Sequence, residues 1–221
     1  MTLQADEDRI MKSQMEQMVD SYDSYMSKVT LGRERALREM TVSLAQVKPG
    51  DCVLEVGCGT GTLTLEAKRQ AGPSGKVFGM DIIPGMIERS KRKAAQANMD
   101  VTFQLGGIDD IPFPDNQFDV VMCSFMIFHM SEMVRRKGIA EIYRVLKPHG
   151  RLLVLDLALP TSPLPRAIAK ALFGGMMQHE LQELLPLMES TGFSNIEIAP
   201  AKFRILGLSV LAFVRGTAPK T

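Results

Sequence analysis

The residues of this chain that could do chemistry gather on one stretch, Val53 to Gly61, which reads VLEVGCGTG. An apolar run broken by one acid, Glu55, leads into glycines at alternate positions, Gly57, Gly59 and Gly61, with Cys58 and Thr60 between them. Glycine suits a turn whose backbone angles a Cβ would penalise, and it lets a ligand come close to the main chain. A helix opening after Gly61 would offer unpaired N–H groups and the positive end of its dipole, so the nearest part of the ligand should be anionic. About twenty residues further on, a second apolar run ends at Asp81, where a carboxylate can accept hydrogen bonds from both hydroxyls of a ribose. Ile82 follows it and could lie flat on one face of an adenine. The two run ends describe a nucleoside site, and G-x-G-x-G leans away from the dinucleotide spacing G-x-G-x-x-G. Alternate glycines that simply close a turn are the plainer reading, and the acid at Asp81 counts against it.

These groups need strands to carry them. Short apolar runs at 52–56, 76–81, 101–105, 118–124 and 151–157 read as strands, each followed by a helical pattern, which predicts a parallel sheet with right-handed crossovers. The run at 118–124 is nearly all apolar after Asp119, as a central strand covered on both faces should be. Pro84 suits the first turn of a helix reaching to about Asn98, and a further helix is expected from Glu132 to Leu146. After Pro160 the prolines at 160, 163 and 165 suggest a linker. Short helices at 167–173 and 181–190 follow it, then strands at 196–199 and 208–214. Before Met40 the chain looks helical, with Ile10, Met11, Met15 and Met18 at helical spacing. That stripe either packs on the core or forms a lid over the ligand.

Length and composition set limits. A chain of 221 residues fits one α/β domain with a modest N-terminal extension. A formal net charge of +1 gives no global field for nucleic acid. The basic run Arg89, Lys91, Arg92, Lys93 reads as a solvated helix face. The acidic N-terminus and the lack of a long apolar run predict a cytoplasmic protein without an integral membrane segment. Three cysteines with no C-x-x-C pair, and histidines scattered at 129, 149 and 179, suggest neither a disulfide framework nor a metal site.

From Val47 to about Leu159 the chain resembles a class I S-adenosylmethionine-dependent methyltransferase, in the small-molecule branch of the ubiquinone and menaquinone C-methyltransferases. The matching pieces are VLEVGCGTG, VFGMDIIPGMIERSKRKA, IPFPDNQFDVVMCSFMIFHM and EIYRVLKPHGRLLVLDL, in that order. YDSYMSKVTLGRERALREM is more loosely similar to that branch's N-terminal cap. The resemblance implies a Rossmann-like doubly wound sheet of seven strands, mostly parallel with an antiparallel last strand. It also implies a cap over residues 1–46, a methyltransferase domain over 47–221, and a substrate-side insertion at 160–192.

S-adenosylmethionine would then meet the Gly57, Cys58 and Gly59 backbone with its amino acid end, Glu55 with its ammonium and Asp81 with its ribose. Ile82 and Ile108 would face its adenine, with Ser124 at the end of the fourth strand. Tyr22 and Arg33 would approach the methionine end, although Arg33 also reads as a surface residue. Many members read GDAEALPFPD where this chain reads GGIDDIPFPD, so Gly107 stands where an adenine-binding Asp is usual, with Asp109 as its possible substitute. His129 is the candidate general base for an acceptor that must lose a proton, or else a structural histidine. The segments that would roof the acceptor are apolar and methionine-rich, which suggests a small apolar or aromatic acceptor. The stripe Ala167, Ile168, Ala171, Leu172 suits either core packing or peripheral contact with a membrane. Two other readings stand beside methyl transfer: a cofactor-binding module without catalysis, and a nicotinamide-dependent oxidoreductase. The oligomeric state is left open.

Overall fold

The computed structural model describes residues 13–127, 130–160, 162–173 and 180–220. Each apolar run that ends on a chemistry-bearing residue is a strand, and the strands are β1 (Cys52–Val56), β2 (Lys76–Asp81), β3 (Thr102–Leu105), β4 (Phe118–Ser124), β5 (Leu146–Leu157), β6 (Ser194–Pro200) and β7 (Leu211–Ala218). They form one sheet in the order β3-β2-β1-β4-β5-β7-β6. The pairs from β3 through β5 are parallel, whereas β7 runs antiparallel to both β5 and β6. The order reverses between β1 and β4, so the crevice for a ligand opens at the carboxyl ends of β1, β2 and β4.

The helices are α1 (Tyr22–Val29), α2 (Glu34–Leu44), α3 (Thr62–Ala71), α4 (Pro84–Gln96), α5 (Glu132–Val145), α6 (Pro163–Phe173) and α7 (Leu184–Thr191). A further helical stretch covers 13–18, while Ile10 and Met11 of the expected stripe lie outside the described residues. Pro84 sits in the first turn of α4, where its missing N–H costs nothing. The core runs along the middle strands: Val53, Leu54, Val56, Val120, Val121, Met122, Leu152, Leu153 and Val154 are all buried. An edge-to-face trio adds Phe113 to this layer, its ring centroid 5.4 Å from Phe78 and 5.2 Å from Phe118.

Several boundaries depart from expectation. The prolines at 163 and 165, expected in a linker, lie in the first turn of α6, where a missing N–H costs nothing, and β7 runs Leu211–Ala218 where a strand was expected at 208–214. The strand expected at 151–157 begins instead at Leu146 and takes in Lys147, Pro148, His149 and Gly150. Leu146 pairs with Phe118 and Arg151 with Val120, so the intervening residues bulge out of the ladder while the pairing continues on both sides. His149 takes a left-handed backbone there, at φ 62°. The loop before β4 is held from α5: Arg144 donates to the carbonyls of Ile111 and Phe113, both at 2.8 Å, and Glu141 accepts the Ile111 N–H at 2.9 Å. This gives the EIYRV and IPFPD segments one shared purpose, which is to fix the loop that leads from β3 into the start of β4.

Candidate functional site

The glycine turn sits where the sequence places it, and its shape explains its composition. Gly57 has φ +70° and Gly61 φ +79°, in the left-handed region that side chains avoid. A Cβ on Gly57 would fall 2.4 Å from Met126 Sδ, and one on Gly61 2.7 Å from Ser90 Cβ. Behind the turn, the Cys58 N–H donates to the Met80 carbonyl at 2.9 Å, which locks the turn to the end of β2. Cys58 is buried beside Gly79, and burial pushes its thiol well above the ordinary range, so it serves as packing and not as a nucleophile.

Asp81 closes the other side. One carboxylate oxygen accepts the Gly59 N–H at 2.8 Å and the other accepts the Ile83 N–H at 2.9 Å, so β2 and the glycine turn are tied through this acid. Burial raises its pKa, against the lowering pull of those two bonds. Ile82 beside it is 49% exposed, an apolar face turned outward at the crevice. Ile108 is brought to the same region but is buried, with its side chain packed on Gly138 of α5. Near the Gly107 departure, Asp109 Oδ1 lies 2.8 Å from where a Gly107 Cβ would stand, and Ile82 Cδ1 lies 3.8 Å from that point. The Asp109 carboxylate thus occupies the space that a side chain at 107 would fill.

Glu55 is buried beneath the turn and accepts a short hydrogen bond from the Thr64 hydroxyl. Burial pushes its pKa up to about 8, opposed by Thr64 and by the positive charge of Arg38. Arg38 is only 5% exposed, pairs with Glu34 at 3.2 Å, and its Nε has no hydrogen-bond partner among the described residues. Tyr22 lies over the turn, its ring 3.7 Å from the point where a Gly59 Cβ would be. Burial pushes its phenol up to about 12, with Arg38 lowering it and Glu55 and Asp81 raising it. The amphipathic pattern of α2 does not single out Arg38 from other helix arginines; the signal is its place on the face that buries Leu37, Thr41 and Val42. Arg33, the sequence-stated candidate, is instead exposed, with its guanidinium 5.1 Å from the centre of the Phe203 ring.

A clamp missed by the sequence reading joins the N-terminal helix to this site. Asp23 of α1 accepts from the Thr60 hydroxyl at 2.6 Å, from Lys93 at 2.8 Å and from Arg89 at 3.2 Å. Lys93 also donates to Thr60 at 2.8 Å and Thr62 at 3.1 Å. The basic run is therefore not wholly a solvated face: Arg89 and Lys93, one turn apart, turn toward Asp23 of α1, while Lys91 and Arg92 are exposed. Partial burial raises the Asp23 pKa, but the bonds from Lys93, Thr60 and Arg89 outweigh it and hold the carboxyl below its usual value. The stabilisation is present above the ordinary carboxylate pKa and fades as pH falls through the lowered one. Asp23→Asn should speed hydrogen exchange of the α1 amides about tenfold, against no change in β4.

Ser124 ends β4 and is buried, whereas His129 and His179 lie outside the described residues. Among the described residues no cluster of three His, Cys, Asp or Glu side chains is placed to hold a metal ion.

A doubly wound sheet with a glycine turn at β1 and an acid at the end of β2 is the architecture of the class I methyltransferases. Residues 53–150 match the family described as a methyltransferase domain. Among curated proteins the chain is 35% identical over 159 residues to a demethylmenaquinone methyltransferase of Symbiobacterium thermophilum, a match covering 71% of this chain and 62% of that protein. The chain thus spans about three fifths of the length of this relative. A solved structure of a SAM-dependent methyltransferase from Aquifex aeolicus superposes with a TM-score of 0.69 at 20% identity, covering 92% of this chain and 98% of that one. The [4+2]-cyclase SpnF superposes with a TM-score of 0.70 at 20% identity, covering 84% and 81%. These two likenesses fix the fold, and the cyclase illustrates that the fold alone does not fix the reaction.

Proposed function

We propose that this protein is an S-adenosylmethionine-dependent methyltransferase acting on a small, apolar or aromatic acceptor. The observation that carries this reading is the pairing of Asp81 with the glycine turn, beside a buried Glu55 and a buried arginine with an unpartnered Nε. These residues fit the cofactor group by group. Asp81 would hold the ribose, the exposed Ile82 one adenine face, and Asp109 the adenine amine in place of an acid at 107. Gly57, Cys58 and Gly59 would receive the methionine end under Tyr22. Arg38 is better suited than Arg33 to its carboxylate, since an orphaned guanidinium nitrogen in a buried site gains most from an anion.

The bound sulfonium would supply an activated methyl carbon open to in-line displacement. What remains for the protein is to align the acceptor and exclude water. Tyr22 and α1, drawn in by Asp23, would cover the turn. His129 is proposed to take the acceptor's proton where one must leave, and Ser124 to border the methyl. A reducing, cytoplasmic setting suits the three free cysteines. The demethylmenaquinone relative supports an acceptor with an aromatic ring. Against a nicotinamide stands the spacing of the glycines; the departure at Gly107 favours the second reading, a cofactor-binding module without catalysis.

Calorimetric titration with S-adenosylmethionine, S-adenosylhomocysteine and NADH tests the reading. Binding of the first two and not the third is expected, and binding of NADH alone would overturn it. The same titration carries a proton. Glu55 holds one at neutral pH, because its pKa stands at about 8, and a cationic ammonium nearby favours the ionised form. Binding at pH 7 should therefore release protons, seen as a heat that varies with the buffer's ionisation enthalpy. The release should vanish in Glu55→Gln and shrink above pH 8. In the ligand-free protein the same raised pKa makes the Glu55 contribution to stability fullest below the ordinary carboxylate pKa and lost as pH rises toward 8.

A further inference from the structure

Acids and bases nearly cancel over the whole chain, at a formal net charge of +1; stretches with bases and no acid recur along it, among them 89–97 and 133–140, and three further ones hold exposed large apolar side chains. They are residues 28–33 (KVTLGR), α6 (PLPRAIAKALF) and residues 201–210 (AKFRILGLSV). Lys28, Arg33, Arg166, Lys170, Lys202 and Arg204 are all exposed. Arg166 lies 3.6 Å from Glu180, and Arg33 packs on Phe203. The same segments hold large apolar side chains in water: Leu31 is 66% exposed, Leu164 71%, Ile168 42% and Leu206 44%. Ala167 and Ala171 are exposed as well, so Ala167, Ile168 and Ala171 of the α6 stripe face outward and not into the core.

The backbone under two of these leucines is costly. Leu206 has φ 49° and Gly207 φ 80°, at the tip of a two-residue hairpin closed by reciprocal hydrogen bonds between Ile205 and Leu208 at 3.0 and 2.9 Å. Leu31 and Gly32 repeat the form, at φ 53° and 73°, in a turn closed by the Arg33 N–H on the Thr30 carbonyl at 3.1 Å. Both are two-residue turns that favour Asn-Gly, and leucine is among the residues least suited to their first position. A strained leucine that is also exposed serves neither the turn nor the core.

All three segments ride at one end of the molecule. Leu157 at the end of β5 pairs with Leu211 at the start of β7, so 201–210 lies beyond the carboxyl end of β5, where α6 also begins. The Arg33–Phe203 contact joins the 28–33 turn to them. This is also the end at which Asp81 and the glycine turn open. A second copy of the chain would suit the face poorly, because a twofold contact sets like cations against one another. Apolar tips ringed by cations match the depth and charge of an anionic lipid surface.

We infer that this end of the protein docks on an anionic lipid bilayer, with Leu31, Leu164, Ile168 and Leu206 entering the interface and the surrounding lysines and arginines meeting the headgroups. The inference goes beyond the proposed methyl transfer and does not depend on it. Flotation of the whole chain with vesicles of phosphatidylcholine alone, and of phosphatidylcholine mixed with phosphatidylglycerol, tests it at low and raised salt. The protein should float with the mixed vesicles only and be released by salt. Leu206→Asn creates the preferred turn pair, so it should leave the melting temperature equal or higher while weakening vesicle binding about tenfold. Leu164→Ser with Ile168→Ser should add to the loss. Absence of binding, equal binding to both vesicles, or binding unchanged in the combined leucine and isoleucine variants would overturn the inference. So would a dimer in light scattering that Leu206→Asn dissolves, since the occupant would then be a second copy. A parallel S-adenosylmethionine titration of Leu206→Asn, expected to match the wild type, separates failure here from failure of the methyltransferase reading.

Discussion

Replacing Asp81 by alanine is expected to lower S-adenosylmethionine affinity on the order of a hundredfold. On the proposed reading the carboxylate would accept two hydroxyls of a ribose, and each such bond to a charged acceptor is worth about 1.5–3 kcal/mol. The loss should not be confined to binding, because the same oxygens accept the Gly59 and Ile83 N–H groups. Removing them leaves two backbone donors without a partner, at about 1 kcal/mol or more each. Asp81→Asn separates the two effects: its one amide oxygen can accept from either the Gly59 or the Ile83 N–H but not both, so stability should return in part while affinity does not. Calorimetry for binding and urea unfolding for stability, run on both variants, read this directly. Equal affinity in wild type and Asp81→Ala would place the ribose elsewhere and sink the site.

The largest effect on stability is expected from Gly57→Ala. Two costs combine there, a left-handed backbone at φ +70° and a Cβ 2.4 Å from Met126 Sδ. The backbone term is about 1–2 kcal/mol, and the clash with the half-buried Met126 adds about 1–3 kcal/mol. Shortening the neighbour should rescue the second part and leave the first. Thus Gly57→Ala with Met126→Ala is predicted to be less destabilised than the sum of the single changes, as a double-mutant cycle in urea would measure. Strict additivity would mean that Met126 is not what limits the space over the turn.

What could be read from the sequence depended on how local the signal was. β1, β2 and β4 begin and end where their apolar runs do, since a strand buried on both faces is apolar throughout and glycine or aspartate closes it. The Pro148–Gly150 region misled because proline and glycine mark a bulge as readily as a turn, and only the partner strand decides between them. Arg38 was illegible for a related reason: an arginine on an amphipathic helix is ordinarily solvated, and only the packing of α2 against the site buries it. Arg89 and Lys93 read as surface for want of any hint that Asp23, far off in sequence, would reach them. The α6 stripe had a legible period but no legible side, because periodicity defines a face without saying what it meets.

The placement of β7 between β5 and β6 bears on how the chain can assemble. β6 touches the sheet only through a strand that follows it in sequence, so β5 presents an open row of backbone donors and acceptors until β7 has docked. The parallel half is built from crossover units, whereas β6 and β7 join it only through the β5–β7 ladder. A late, unpaired edge of this kind favours pairing between separate chains. Aggregation during refolding should therefore rise with protein concentration and fall when a peptide spanning 194–218 is supplied in excess.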